Sequence, residues 1–168
     1  GYSEEWEKEA EKRGLANHRN TAEALPCFVD QKSLDLFDEF NVLTEPEVRS
    51  RYEVKLDKYN KLLNIEARTM IRMVRRTYLP AITDYMADLA SDITTVKAAI
   101  SGADMTETES VLEVIVTGVD KAAKATRELI KVHNAAEAIE APQEQANAYA
   151  NEVIPAMDTL RAEIDALE

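Results

Sequence analysis

Apolar residues recur at helical spacing along most of the chain, and the pattern is strongest after residue 44. One stripe fits a period of 3.6 residues and comprises Val48, Tyr52, Tyr59, Leu63, Met70 and Val74. Thr44 and Glu47 form a capping-box pattern at its start, with Pro46 in the first turn. The pattern predicts a helix over 45–79, then a kink or a break at Pro80, then helix to about 101.

Two further long helices follow. Gly102 to Asp104 read as a turn, and Thr106 with Glu109 repeats the capping-box pattern. A helix is predicted over about 107–140, with an inner face of Val111, Ile115, Val119, Ala122, Leu129, His133 and Ala136. A last helix is predicted over about 143–167, bent at Pro155, with an inner face of Tyr149, Val153, Met157, Leu160 and Ile164.

The first 43 residues predict shorter elements. Ser3 caps a helix that ends before Gly14, and residues 32–41 form a second short helix. Residues 15–29 lack a period and are expected to be an irregular connection pinned by Leu15, Leu25, Phe28 and Val29. Because short links join the long helices, we expect an all-α fold, an antiparallel bundle of about three long helices. A lead-in at 1–43 precedes the bundle at 44–168, and the two form one domain.

Composition adds that the protein is an acidic helical chain. Its formal net charge is −12 and it has 4 glycines and 5 prolines among 168 residues, which favours helix and argues against nucleic acid as the default partner. A single cysteine cannot form an internal disulfide and fits a reducing, cytoplasmic location. The absence of long apolar runs argues against a membrane partner. The first residue is Gly1 and not methionine, so we expect a piece of a longer protein.

Motifs that carry chemistry are missing from the sequence. It has no glycine-rich phosphate loop, no histidine pair at metal spacing and no nucleophile elbow. His133 lies on an apolar helix face and is expected to be a core histidine with a satisfied ring. His18 lies in a polar loop, and Cys27 follows a proline in an apolar run that predicts a buried, inert thiol. We therefore predict no catalytic residue, no metal ligand and no cofactor-binding residue in this chain.

The long helix concentrates the positive charge. Residues 44–79 hold nine basic and five acidic residues, and Arg68, Arg72, Arg75 and Arg76 fall within nine positions. Most of these side chains lie opposite the stripe centred on Tyr59 and Leu63. This basic face is either a solvated surface that pairs with acidic neighbours or a site for a polyanion. The acidic total and the lack of aromatic residues among the arginines favour the first interpretation.

Two stretches resemble a known family. The first, residues 1–26, carries Trp6, Glu9-Ala10, Arg13-Gly14-Leu15, Asn17, Thr21 and Ala24-Leu25-Pro26. The second, residues 50–80, carries Ser50-Arg51-Tyr52-Glu53, Lys58-Tyr59, Asn64-Ile65-Glu66-Ala67, Thr69-Met70 and Leu79-Pro80. Both resemble the region that follows the catalytic part of type III glutamine synthetases, and together they cover about the first half of the chain.

The resemblance implies a parent enzyme that joins ammonia to glutamate, uses ATP and magnesium, and assembles as a large ring-shaped homo-oligomer. The family's metal-binding glutamates and its Asn-Gly-Ser-Gly-His segment do not occur here, so no catalytic role is carried over. The expected function is that of a non-catalytic C-terminal helical domain that packs on its own catalytic domain or on neighbouring subunits. The candidate interface residues are Trp6, Leu15, Phe28, Arg68, Arg72 and Arg76. The alternative is a stand-alone helical adaptor that binds an acidic partner through its basic face.

Overall fold

The lead-in consists of short helices, each with a local cap. The structure, a computed structural model, describes residues 3–168, so Gly1 and Tyr2 of the predicted lead-in lie outside the described part. Helix α1 spans Glu4–Lys12, and the Ser3 hydroxyl accepts a bond from the Trp6 N–H. Helix α2 spans Thr21–Ala24, a 3₁₀ turn spans Leu25–Val29, and α3 spans Gln31–Glu39. The connection expected to be irregular is therefore partly helical, because the Asn20 side chain caps α2.

The long helix neither breaks nor stops at its proline. Helix α4 spans Glu45–Met73, a π turn spans Val74–Tyr78, and α5 spans Leu79–Ala99. Pro80 has no N–H, and in a regular α-helix its ring would collide with the carbonyl of Arg76. The π turn resolves this conflict by admitting one extra residue, and the Leu79 N–H donates to the Val74 carbonyl five residues back.

A second π turn precedes a proline near the end of the chain. Helix α6 spans Thr106–Glu137, after a turn in which Gly102 has φ 88°, a value that side-chain-bearing residues rarely adopt. Helix α7 spans Pro142–Ala148, a second π turn spans Tyr149–Val153, and α8 spans Ile154–Asp165. The Ile154 N–H donates to the Tyr149 carbonyl, one residue before Pro155. The bend expected at Pro155 is thus another π turn within a continuous helix.

The core lies where the three long helices meet. Its buried members are Leu63, Ala67, Val74, Leu129, Ala136, Ala148, Tyr149, Val153 and Leu160. Helix α6 packs against both α5 and α8. Residues 3–168 contain helices and turns without a strand, so the all-α fold class and the bundle of three long helices are confirmed. Within this same part of the chain, none of the helices combines the length and the apolar character needed to cross a membrane.

Some predicted inner positions are wrong. Val111 is 46% exposed, and Leu15 is 52% exposed. Helix α8 ends at Asp165, and the Leu167 side chain just beyond it lies against Gly118, so among residues 3–168 α8 does not extend over the first turns of α6 around Val111. Sequence reasoning also missed buried Leu56, Asn60 and Ala67 on α4.

Candidate interaction surfaces

The lead-in is held on the bundle by a small apolar cluster and one glutamine. Ala22, Leu56 and Ala146 form the buried cluster, which joins α2, α4 and α7. The Gln143 side chain donates to the Ala22 carbonyl at 2.8 Å and accepts from the Tyr52 hydroxyl at 2.7 Å. Because a glutamine offers both a donor and an acceptor, one side chain ties three elements together.

Replacing Gln143 with alanine is expected to loosen the lead-in while the bundle stays folded. The change leaves the Ala22 carbonyl and the Tyr52 hydroxyl without their partner, which costs about 1–3 kcal/mol. Limited proteolysis should then cut residues 15–30 faster, and far-UV circular dichroism should change little. Asn147 also bonds Gln143, at 3.0 Å, but is exposed, so Asn147→Ala is the matched control. Equal cleavage rates in the two variants would contradict the assigned role of Gln143.

The three apolar candidates from the lead-in occupy different environments. Trp6 is 40% exposed, with the Arg13 guanidinium carbon 5.8 Å from its ring centre. Leu15 is exposed in the connection after α1. Phe28 is half-buried and meets Phe37 edge-on, with ring centres 5.5 Å apart. Trp6 and Leu15 are therefore available to a partner, whereas much of Phe28 is used within the lead-in.

Cys27 is exposed, and the predicted buried thiol is wrong. Its Sγ lies 3.1 Å from Nε2 of His18, a residue that the sequence placed in a polar loop. Cys27 lies within the 3₁₀ turn Leu25–Val29. Sequence reasoning missed this contact because the two residues are nine positions apart in a segment without periodicity.

A polar chain crosses from α4 to α6 beside the core. His133 is 3% exposed, with its Nε2 3.1 Å from Oδ1 of Asn64 and its ring edge-on to Tyr149. The Asn64 amide donates to Glu137 at 3.1 Å, and the Arg68 guanidinium lies 3.7 Å from the same carboxylate. His133 therefore has a partnered, buried ring, as expected for a core histidine.

A basic groove runs along the outer edge of this polar chain. It has a volume of about 890 Å³, and its cationic lining is Lys61, Arg68, Arg72, Arg75 and Arg76. Lys61 pairs with Asp57 at 2.8 Å, and Arg68 approaches Glu137. Within residues 3–168, no carboxylate lies within ion-pair distance of Arg72 or Arg76. The groove therefore carries positive charge that this part of the chain does not neutralise.

A second groove, of about 780 Å³, is mainly apolar. Met70, Met73 and Tyr78 line it from the long helix, and Met157 and Ile164 line it from α8. It adjoins the first π turn, which contributes Val74 and Tyr78.

Local hydrogen bonds and burial shift the pKa values of Glu47 and Tyr149. The Thr44 N–H and hydroxyl both donate to Glu47, at 2.8 and 2.7 Å, and these bonds lower the pKa of the Glu47 carboxyl. Burial raises the pKa of the Tyr149 phenol, and the charge of Glu137 acts in the same direction. Among residues 3–168, no three His, Cys, Asp or Glu side chains are grouped so as to hold a metal ion. We assign no catalytic step to these side chains.

Comparison with known proteins identifies the family. The model of the glutamine synthetase C-terminal domain matches residues 1–97. The glutamine synthetase of Butyrivibrio fibrisolvens is 32% identical over 168 residues, which is 100% of this chain and 24% of that protein. The type-3 glutamine synthetase of Dictyostelium discoideum is 30% identical over 172 residues, 100% of this chain and 23% of that protein. The chain thus spans about a quarter of the length of these relatives, and it belongs to the glutamine synthetase C-terminal domain family.

Proposed function

We propose that this chain is a non-catalytic, cytoplasmic C-terminal domain of a glutamine synthetase, and that it supports packing and assembly of the parent enzyme. The observation that carries the proposal is the family match over residues 1–97, in a chain that spans about a quarter of its relatives. The parent enzyme would ligate ammonia to glutamate with ATP and magnesium. In this proposal those ligands bind to the rest of the parent enzyme, where the resemblance to type III glutamine synthetases places the catalytic region.

The distribution of exposed apolar side chains supports a packing role. Five large hydrophobic residues of the lead-in are exposed, namely Trp6, Leu15, Leu36, Phe40 and Val42. Phe40 is 66% exposed at the end of α3, although phenylalanine is usually well buried. Large apolar side chains left exposed to water are typical of a protein–protein contact, and the lead-in carries a third of the large hydrophobic residues that are exposed in residues 3–168. The lead-in is therefore the segment proposed to meet the catalytic domain or a neighbouring subunit.

The isolated chain is expected to form no glutamine. The measurement is glutamine production with saturating ATP, magnesium, glutamate and ammonia, with the full-length parent enzyme as the positive control. Because the chain supplies no nucleotide or metal site of its own in this proposal, its rate should equal the rate without protein. Turnover above that background would overturn the non-catalytic assignment.

The packing role itself is tested in the full-length parent enzyme. Leu15→Glu places a charge on an exposed apolar position, and we expect it to shift the sedimentation profile toward smaller species. The same change in the isolated chain should leave the free energy of unfolding within about 0.5 kcal/mol, as for surface substitutions generally. Phe28→Ala is the contrasting variant, because it removes the contact with Phe37 and should destabilise the isolated chain as well. If Leu15→Glu leaves the assembly of the parent enzyme unchanged, the lead-in is not part of the proposed interface.

The adaptor alternative predicts a different result. In an adaptor, reversing Arg72 and Arg76 to glutamate should abolish binding to a separate acidic protein. In a domain of the parent enzyme, the same reversal should change assembly alone. Family membership favours the second outcome, a change in assembly. The positions of the arginines indicate which contact would change.

A further inference from the structure

Two rows of opposite charge lie on the long helix, on either side of Pro80. The arginine row is Arg68, Arg72 and Arg76, and the aspartate row is Asp84, Asp88 and Asp92. Within each row the spacing is four residues, so the side chains form one ridge along the helix surface. All six residues are exposed. Among residues 3–168, no ion pair involves Arg72, Arg76 or any member of the aspartate row.

The two rows are symmetric about the proline. Arg76 and Asp84 each lie four positions from Pro80, Arg72 and Asp88 eight, and Arg68 and Asp92 twelve. A helix laid antiparallel on a second copy of itself, with a twofold axis at Pro80, sets every arginine of one copy against an aspartate of the other. Such an isologous contact uses the same surface patch on both copies, as in most homodimers.

The first π turn keeps both rows on the outer side of the helix. In a regular α-helix each residue rotates the chain by about 100°, so the nineteen residues from Val74 to Ile93 make five full turns and about 100° more. The two side chains would therefore point about 100° apart. Both residues are nevertheless buried, at 2% and 8% exposure, and α6 packs against α5. The extra residue of the π turn compensates for the angular drift. The inner members of the two rows, Arg76 and Asp84, therefore share the surface that faces away from the core.

We propose that two copies of this chain associate antiparallel through the exposed face of the long helix, centred on Pro80. Packing of the ridges at four-residue spacing sets the two helices at a crossing angle of about 50°. Arg72 then pairs with Asp88 of the second copy, and Arg76 pairs with Asp84. Arg75 and Tyr85 obey the same symmetry, and Tyr85 is 54% exposed, so a guanidinium can stack on its ring.

The inference deepens the proposed function and rests on it for the setting in which the contact forms. Exposed ion pairs contribute about 0.2–1 kcal/mol each, and the chain carries net charge −12, so association of the isolated chain should be weak and salt-sensitive. Within a parent homo-oligomer, tethering would raise the local concentration of the two faces and strengthen the contact.

A charge-swap series tests the pairing in the 168-residue chain. Arg72→Glu with Arg76→Glu makes the face acidic, and Asp84→Arg with Asp88→Arg makes it basic. Each variant alone should weaken the self-association Kd at least about tenfold, because four attractive pairs become repulsive. An equimolar mixture of the two should form heterodimers, and the fourfold variant should regain self-association. The measurement is sedimentation equilibrium at low salt, from about 10 μM to 1 mM.

The matched control reverses Lys55 and Lys58, which are exposed on the same helix but far from Pro80. This double reversal changes the net charge by the same amount as the Arg72 and Arg76 variant, yet it should leave the Kd within about threefold. Circular dichroism checks that every variant is folded. A wild type that stays monomeric to 1 mM would overturn the proposal. So would a fourfold variant that stays monomeric, or a Lys55 and Lys58 control that weakens self-association as much as the Arg72 and Arg76 variant does.

Spin labels test the orientation independently of charge. Two labels at position 92, one in each copy, should lie about 33 Å or more apart, since each is twelve residues from the axis at about 1.5 Å per residue and the two helices cross at about 50°. Labels at position 77 should lie within about 20 Å. A parallel pair would bring the labels at position 92 together and would overturn the antiparallel model. Tight binding of heparin or tripolyphosphate by a monomer, lost on reversal of Arg72 and Arg76, would instead assign the arginine row to a polyanion.

The two proposals fail in different ways. The charge-swap series reports only on contact between copies of this chain, whereas the Leu15→Glu experiment reports on packing of the lead-in within the parent enzyme. A monomeric chain together with impaired assembly of Leu15→Glu would refute the twofold contact alone. Self-association together with normal assembly of that variant would refute the lead-in packing alone.

Discussion

Replacing Leu129 with alanine is expected to destabilise the chain by about 2–5 kcal/mol, the cost of deleting a large side chain from a packed core. Leu129 is 0% exposed and lies in the cluster shared by α4, α6 and α8. The cavity would lie within the cluster that also holds Ala67 and Leu160, which are fully buried, and helix backbones cannot collapse far enough to fill it. Chemical denaturation followed by circular dichroism gives the change in the free energy of unfolding.

Leu62 provides the matched control for this substitution. It is 48% exposed on α4 and carries the same side chain. Leu62→Ala should change the free energy of unfolding by at most about 0.5 kcal/mol, since alanine is a good helix former and little apolar area is lost. Similar losses for Leu62→Ala and Leu129→Ala would mean that the core does not lie where the three long helices meet.

Removing the first π turn should be tolerated, although it shortens the long helix by one residue. Deletion of Thr77 combined with Pro80→Ala removes the extra residue and the side chain that conflicts with a regular helix. Val74 and Ile82 are then seven residues apart, and they stay on one side because two helical turns contain about 7.2 residues. We expect a folded, cooperative protein whose free energy of unfolding changes by no more than about 2 kcal/mol.

Deletion of Lys58 is the matched test elsewhere in the same helix. It also removes one exposed residue, but from regular α-helix, where the two flanks are already in phase. The deletion turns one flank by about 100° relative to the other, so Leu63 and Ala67 or Val48 and Leu56 leave the core. Thermal unfolding should lose its cooperative transition, because the lost burial approaches the total stability of a small domain. If both deletions unfold the protein, the π turn is not the point at which the helix absorbs an extra residue.

The helices could be predicted from the sequence because the signals for them are local. Thr44 and Glu47 form a cap within one turn, and the apolar period along 45–79 predicted most of α4 and two of its five buried residues, Val48 and Leu63. The short links at 100–105 and 138–141 required antiparallel neighbours, which gave the bundle. Family membership was also readable from local strings such as Asn64-Ile65-Glu66-Ala67.

Other features were beyond sequence reasoning because they depend on which elements meet. The exposure of Val111 follows from the point at which α8 ends, and the Cys27–His18 contact follows from the path of a segment without periodicity. Pro80 and Pro155 indicated that the regular α-helix is interrupted near them. A kink, a break and a π turn, however, have the same sequence signature. Only packing of both flanks against α6 favours the π turn.

The sequence by itself determined an acidic, all-helical bundle of three long helices, with the charges of each row in fixed order along one helix. Local periodicity and capping set these features, and they need no knowledge of distant contacts. The tertiary structure alone decided that both charge rows face outward and that Gln143 ties the lead-in to the bundle. The physical reason is that a helical residue is buried or exposed only according to which side of its helix another helix covers.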